Sequence, residues 1–230
     1  MKEISEFITT TLTSRLLTVV ELNNALQQPL QFVIEEASFN SLVSQAAILH
    51  SIERGHNPHN VINEVPVKRL PNSSGRADFS WQFDNLYSFW ELKGFVYDYP
   101  NIEAGLRQIK KALLQAQTQV ESIGLDSSAP WYLVQVGDTH IDAKFYKVAM
   151  APYLFTTPRS EPDIPTESAI EQAITSCSLA TGLDSVQTHT ILCPAGTVAA
   201  YNYSQDAQTY KNWVNVHAIV LFYSIQAEEN

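Results

Sequence analysis

Apolar and polar residues alternate with a period of two from Arg76 to Phe83. Ala77, Phe79, Trp81 and Phe83 fall on one side, and Arg76, Asp78, Ser80 and Gln82 on the other. That alternation predicts a strand with one face on a core. The same period returns after residue 87, where Phe89, Glu91, Lys93 and Phe95 alternate with Ser88, Trp90, Leu92 and Gly94. Between the two runs lies Asp84-Asn85, a pair that tolerates the left-handed backbone of a two-residue hairpin loop. Pairing Phe83 with Leu86 sets Asp78 opposite Glu91, with Cβ atoms roughly 4.5–5.5 Å apart.

Helical spacing takes over on either side. Residues 4–34 read as a helix, with Ile4, Phe7, Ile8, Leu12, Leu16 and Val19 as its stripe, becoming irregular before Pro29. Residues 35–54 read as a second helix, with Phe39, Leu42, Val43, Ala46 and Leu49 on its apolar face and Gly55 as its C-terminal cap. Residues 61–69 read as a strand that Pro66 confines to an edge or a bulge. After the hairpin, Asn101 is a fitting N-cap for a helix running to about Ile123, with Ile102, Leu106, Ile109, Leu113 and Val120 as its stripe. Residues 131–137 read as an interior strand. Pro152, Pro158, Pro162 and Pro165 make 150–166 a connector. Ser168 with Glu171 predicts a capping box and a helix to about Ser178. Strand-like runs follow at 186–193, 197–203 and 213–225, the last with His217 as a core histidine.

Composition narrows the class. The 230 residues are 45% hydrophobic and 17% charged, enough for a sizeable core. No apolar run is long enough to span a membrane, and MKEISEFITT lacks a signal-peptide core. Cys177 and Cys193 stand apart, so no disulfide framework is expected; the location expected is cytoplasmic. The net charge is −10, yet residues 54–111 carry eight Lys/Arg against six Asp/Glu. The cations thus collect around the hairpin, although an ordinary acidic protein gives the same balance. No dinucleotide or phosphate-loop glycine pattern, G-x-S-x-G elbow, H-E-x-x-H or zinc-spaced Cys/His set occurs. His56 and His59 sit in a Pro/Asn-rich connector and read as loop residues.

Two carboxylates facing each other across a strand pair repel unless a cation lies between them. A divalent metal on Asp78 and Glu91, with Lys93 on the same face, satisfies that requirement. The set Asp78, then Glu91-Leu92-Lys93, resembles the PD-(D/E)XK nuclease superfamily; Ala77 stands where the pattern has proline. The resemblance implies an α/β, restriction-endonuclease-like αβββαβ core over residues 35–137, a mixed central sheet flanked by helices. A C-terminal α+β elaboration would follow it. It also implies Mg²⁺ (or Mn²⁺) held by Asp78, Glu91 and the Leu92 carbonyl, with Glu36 and Glu64 competing as a further acid. Glu36 also reads as a helix-start glutamate favoured by the helix dipole. Gln108 is either a site residue on the second core helix or a surface amide. Arg76, Arg107 and Lys110 are the implied phosphate contacts, and Lys111 is solvated.

The expected organisation is an N-terminal helical segment at 1–34, a nuclease-like core at 35–149 and the elaboration at 150–230. The expected function is metal-dependent hydrolysis of nucleic acid, DNA first, by a protein with no membrane partner that is a possible homodimer. The alternative is a catalytically inactive nuclease-fold protein serving as a binding or scaffold module. A third outcome is chance similarity, with Glu91 and Lys93 a plain ion pair on an edge strand.

Overall fold

The computed structural model describes residues 1–30, 36–71, 73–84, 86–97, 102–124, 144–159, 168, 171–172, 175, 186–201 and 212–228. The chain opens on α1 (Lys2–Glu6), a π-helical stretch (Phe7–Leu12) and α2 (Thr13–Ala25). Thr9, Thr10 and Thr13 turn their hydroxyls onto the carbonyls of Ser5, Glu6 and Ile8. Such back-bonding competes with the helical ladder and accompanies its widening here. Next comes α3 (Glu36–Glu53), closed by Gly55 at φ +73°. The amide of His56 donates to the Ser51 carbonyl and that of Gly55 to Ile52, the paired bonds of a Schellman ending. Leu49, expected on the buried face of α3, is 41% exposed; His50 is buried instead and meets Thr11 through Nδ1 at 2.7 Å.

Among the described residues a mixed sheet of eight strands forms the centre. Its path runs β1 (Val61–Arg69), β2 (Ser73–Phe83), β3 (Leu86–Leu92), β5 (Lys144–Pro158), β8 (Asn212–Glu228), β6 (Gln187–Leu192). The short strands β4 (Val96–Tyr97) and β7 (Val198–Tyr201) pair with β5 and β8. β1, β2 and β3 are antiparallel neighbours, and β5 lies parallel to β3 after the crossover helix α4 (Ile102–Glu121). The N-terminal helices and α3 cover one face through Phe7, Leu12, Phe39, Trp81, Trp90 and Leu221. α4 covers the other through Ile109, Leu113, Ala116 and Val120. β3 is buried at every position because both of its faces are covered, as expected of a strand in the middle of a mixed sheet.

Several expectations change here. The predicted strand 131–137 lies outside the described residues, as do Asn101 and Cys177; the described strand after α4 is β5. Residues 150–158, read as connector, form its second half. Pro152 falls between the stretch of β5 paired with β3, which ends at Met150, and the stretch paired with β4, which starts at Tyr153. A residue without an N–H is tolerated where the ladder is interrupted. The boundary expected at 149/150 therefore cuts one continuous strand, which pairs with β8 along its length. Ser168, Glu171, Gln172 and Thr175 are helical, in line with the expected helix, but Ser168 lies within it and not at an N-cap. His217 is half-buried and bonded to Thr157 Oγ1 at 2.7 Å, and His56 and His59 lie in and beside a 3-10 turn.

Candidate functional site

The hairpin register is the one that the loop dictates. Phe83 pairs with Leu86 and Phe79 with Trp90, and Asp84 takes φ +51°. The Phe79 and Trp90 rings stack with centroids 4.9 Å apart. The ladder then stops one step before Asp78 and Glu91. On its other side β2 also loses its ladder pair at Asp78, where β1 has Glu64 at φ +52°. The strands turn over at this level. Phe79 packs with the N-terminal helices and α3, whereas Ala77, two residues away, packs with Val65, Val67 and Phe89 under α4. The single apolar face expected for β2 is thus divided between two cores, and Asp78 is the joint. Its Oδ2 accepts the Leu92 amide at 2.5 Å, standing in for the backbone partner that Leu92 lacks there.

Glu91 is 2% exposed. Its Oε1 accepts from Arg69 Nη2 at 2.5 Å. Arg69 ends β1 and is tied down on all sides. Nη1 donates to the Gln119 carbonyl and, at 3.0 Å, to Ser122 Oγ; Nη2 also donates to the Arg76 carbonyl at 2.5 Å. Gln119 sits in the last turn of α4, where carbonyls without helical partners favour a cation. The Arg69 backbone bridges to Ile123. Gly75 makes the passage possible: a Cβ there would lie 2.5 Å from Arg69 Nε. Thus Glu91 already has a cation beside it in the protein itself, an arginine that no spacing rule points to. Its signal was present in part, since a buried acid beside β2 needs a basic residue and β1 ends in Lys68-Arg69.

Lys93 is 9% exposed and follows β3, its amide bonded to the Met150 carbonyl. Its Nζ lies 3.7 Å from Glu36 Oε1, and Glu36 Oε2 accepts the Gly94 amide at 3.2 Å. The first residue of α3 is thereby brought to the end of the E-x-K segment. Glu64 turns outward to Arg76, 3.6 Å away, and both are well exposed. Of the two competing acids, Glu36 joins the cluster and Glu64 stays on the surface. Arg107 and Gln108 are exposed on α4 and Lys110 is half-buried. The part of α4 that meets the acids is its C-terminal end, through Arg69, and not the turn carrying Gln108.

Burial is the largest influence on both acids. It raises Asp78 from 3.8 to about 6; neighbouring Glu91 adds to the rise, and the Leu92 amide and Lys93 oppose it. Burial likewise raises Glu91, against the pull of Arg69 and Lys93. Raised acids clustered around a lysine single out a candidate site, although structural ion pairs shift acids in the same way. Each acid has one oxygen tied, Asp78 Oδ2 to Leu92 and Glu91 Oε1 to Arg69. Asp78 Oδ1 and Glu91 Oε2 have no hydrogen bond among the described residues. Oxygen donors of this kind suit Mg²⁺, which keeps several of its waters and needs few carboxylates. Among the described residues no three His, Cys, Asp or Glu side chains form a ready metal cage. An ion held here would therefore be a partly hydrated one on two acids. No family model, curated protein or solved structure matches this chain.

Proposed function

We propose that this protein is a metal-dependent nuclease of the PD-(D/E)XK type, acting on DNA. The observation that carries the reading is a pair of acids on neighbouring strands, half-buried Asp78 and buried Glu91, each with one oxygen tied and one untied, beside the buried Lys93. Among the described residues, α3, the antiparallel β1, β2 and β3, the two-residue β4, α4 and the parallel β5 follow one another, and apart from β4 this order supports it as the expected αβββαβ succession. So does the location of Glu91 and Lys93 at the carboxyl end of β3, where open α/β sheets bind ligands.

Asp78 and Glu91 would hold Mg²⁺ or Mn²⁺, joined by the Leu92 carbonyl and, through Lys93 and Gly94, by the Glu36 carboxylate as an outer neighbour. The ion supplies Lewis acidity at the scissile phosphate and lowers the pKa of a bound water. Lys93, held against Glu36, orients the attacking water and offsets negative charge as it develops. Arg76, Arg107 and Lys110 are the phosphate contacts in this proposal, which supply affinity without sequence preference. Gln108, exposed and away from the tied acids, has no role at the metal.

One observation favours a second reading. Arg69 already neutralises Glu91, so the fold is complete without an ion and suits a binding module that has lost catalysis. Incubation of supercoiled plasmid, single-stranded DNA and RNA with the protein separates the two. The nuclease reading expects cleavage with Mg²⁺ or Mn²⁺ and none in chelator. Folded protein that cuts none of the three substrates with either ion refutes it and leaves the binding module.

A further inference from the structure

The role of Arg69 extends beyond neutralising a buried acid. Four acceptors hold its guanidinium: Glu91 Oε1, the Gln119 carbonyl, Ser122 Oγ and the Arg76 carbonyl. The residue itself is anchored where β1 meets the end of α4. The amide of Leu70 donates to the Ser122 carbonyl at 2.6 Å, and that of Gly124 to the Lys68 carbonyl at 2.9 Å. A group so held does not swing away when a ligand arrives. It fixes the Glu91 carboxylate in one rotation and leaves one oxygen, Oε2, turned from the arginine. Asp78 is treated alike by the Leu92 amide.

We infer that Arg69 is the positioning residue of the metal site: it tethers Glu91 so that a single oxygen faces the cation, and its fixed charge occupies the place a second ion would need. The site then takes one divalent ion per chain. This inference rests on the nuclease reading above. Partners behind a metal ligand orient it and set its basicity, and their loss typically weakens metal binding about 10- to 100-fold.

Two variants separate positioning from simple loss of charge. Arg69→Lys keeps a cation opposite Glu91 but cannot reach four acceptors in a planar fork. Gly75→Ala keeps every charge and pushes on the guanidinium, because the new Cβ would stand 2.5 Å from Nε and 2.9 Å from Cδ. Mn²⁺ is titrated calorimetrically into the wild type and both variants, with folding checked by circular dichroism at the same temperature. The expected result is one Mn²⁺ per wild-type chain, with binding about 10- to 100-fold weaker in both folded variants. Two ions per wild-type chain, or unchanged or tighter binding in both variants, overturns the inference while the nuclease reading stands. A wild type that binds no Mn²⁺ removes both together.

Discussion

Replacing Asp78 by asparagine tests the electrostatics of the site without reference to any substrate. Asparagine keeps an oxygen to accept the Leu92 amide and carries no charge. In the wild type, burial raises Asp78 from 3.8 to about 6. The folded state therefore binds this proton more tightly than the unfolded chain. Stability from this group is complete below about 4 and is lost as pH rises through about 6. Two pKa units correspond to about 3 kcal/mol. Asp78 is only partly buried, and its charged bond to Leu92 is stronger than an amide's, so about 1–3 kcal/mol is the realistic range. Asp78→Asn should accordingly be more stable than the wild type by that amount at pH 8 and nearly equal to it at pH 4. Urea unfolding followed by circular dichroism in chelator measures the difference at both pH values. A variant less stable than the wild type at pH 8, or a difference that ignores pH, refutes the reasoning.

Other substitutions should separate the roles of the neighbouring residues. Glu91→Ala leaves the half-buried Arg69 guanidinium without its carboxylate and should be destabilising, by at most about 3–5 kcal/mol in urea titrations, the opposite sign to Asp78→Asn. Lys93→Ala should lower kcat for DNA cleavage by about 100-fold or more while Mn²⁺ affinity measured by calorimetry stays near that of the wild type. Glu36→Gln should weaken cleavage, because its carboxylate holds Lys93 and Gly94, whereas Glu64→Gln, on a well-exposed acid paired only with Arg76, should leave both rate and stability within error.

The hairpin was legible in the sequence because its signals are local. A two-residue loop and alternating aromatics fix the register from Phe83 back to Phe79 without help from the rest of the chain. The helices at 36–53 and 102–121 were legible for the same reason: long apolar stripes and a glycine cap. What escaped was non-local. Ala77 alternates with Phe79 in sequence but packs in a different core, because Glu64 on the next strand turns left-handed opposite Asp78. Arg69 reaches Glu91 across β2, over a glycine and under the end of α4, which no spacing rule encodes. The connector at 150–158 was misread because Pro152 normally argues against an interior strand, and only the gap between β3 and β4 makes room for it.

The central claim is that the acids of the hairpin hold an ion that drives phosphodiester hydrolysis. Its most direct measurement is the initial rate of plasmid nicking by wild type and Asp78→Asn in Mg²⁺, at pH 8, on protein shown to be folded. Because the variant is expected to be the more stable of the two at that pH, lost activity cannot be charged to unfolding. Nicking by the wild type that is abolished in Asp78→Asn is the predicted result; equal rates in the two proteins, or none in the wild type, would contradict it.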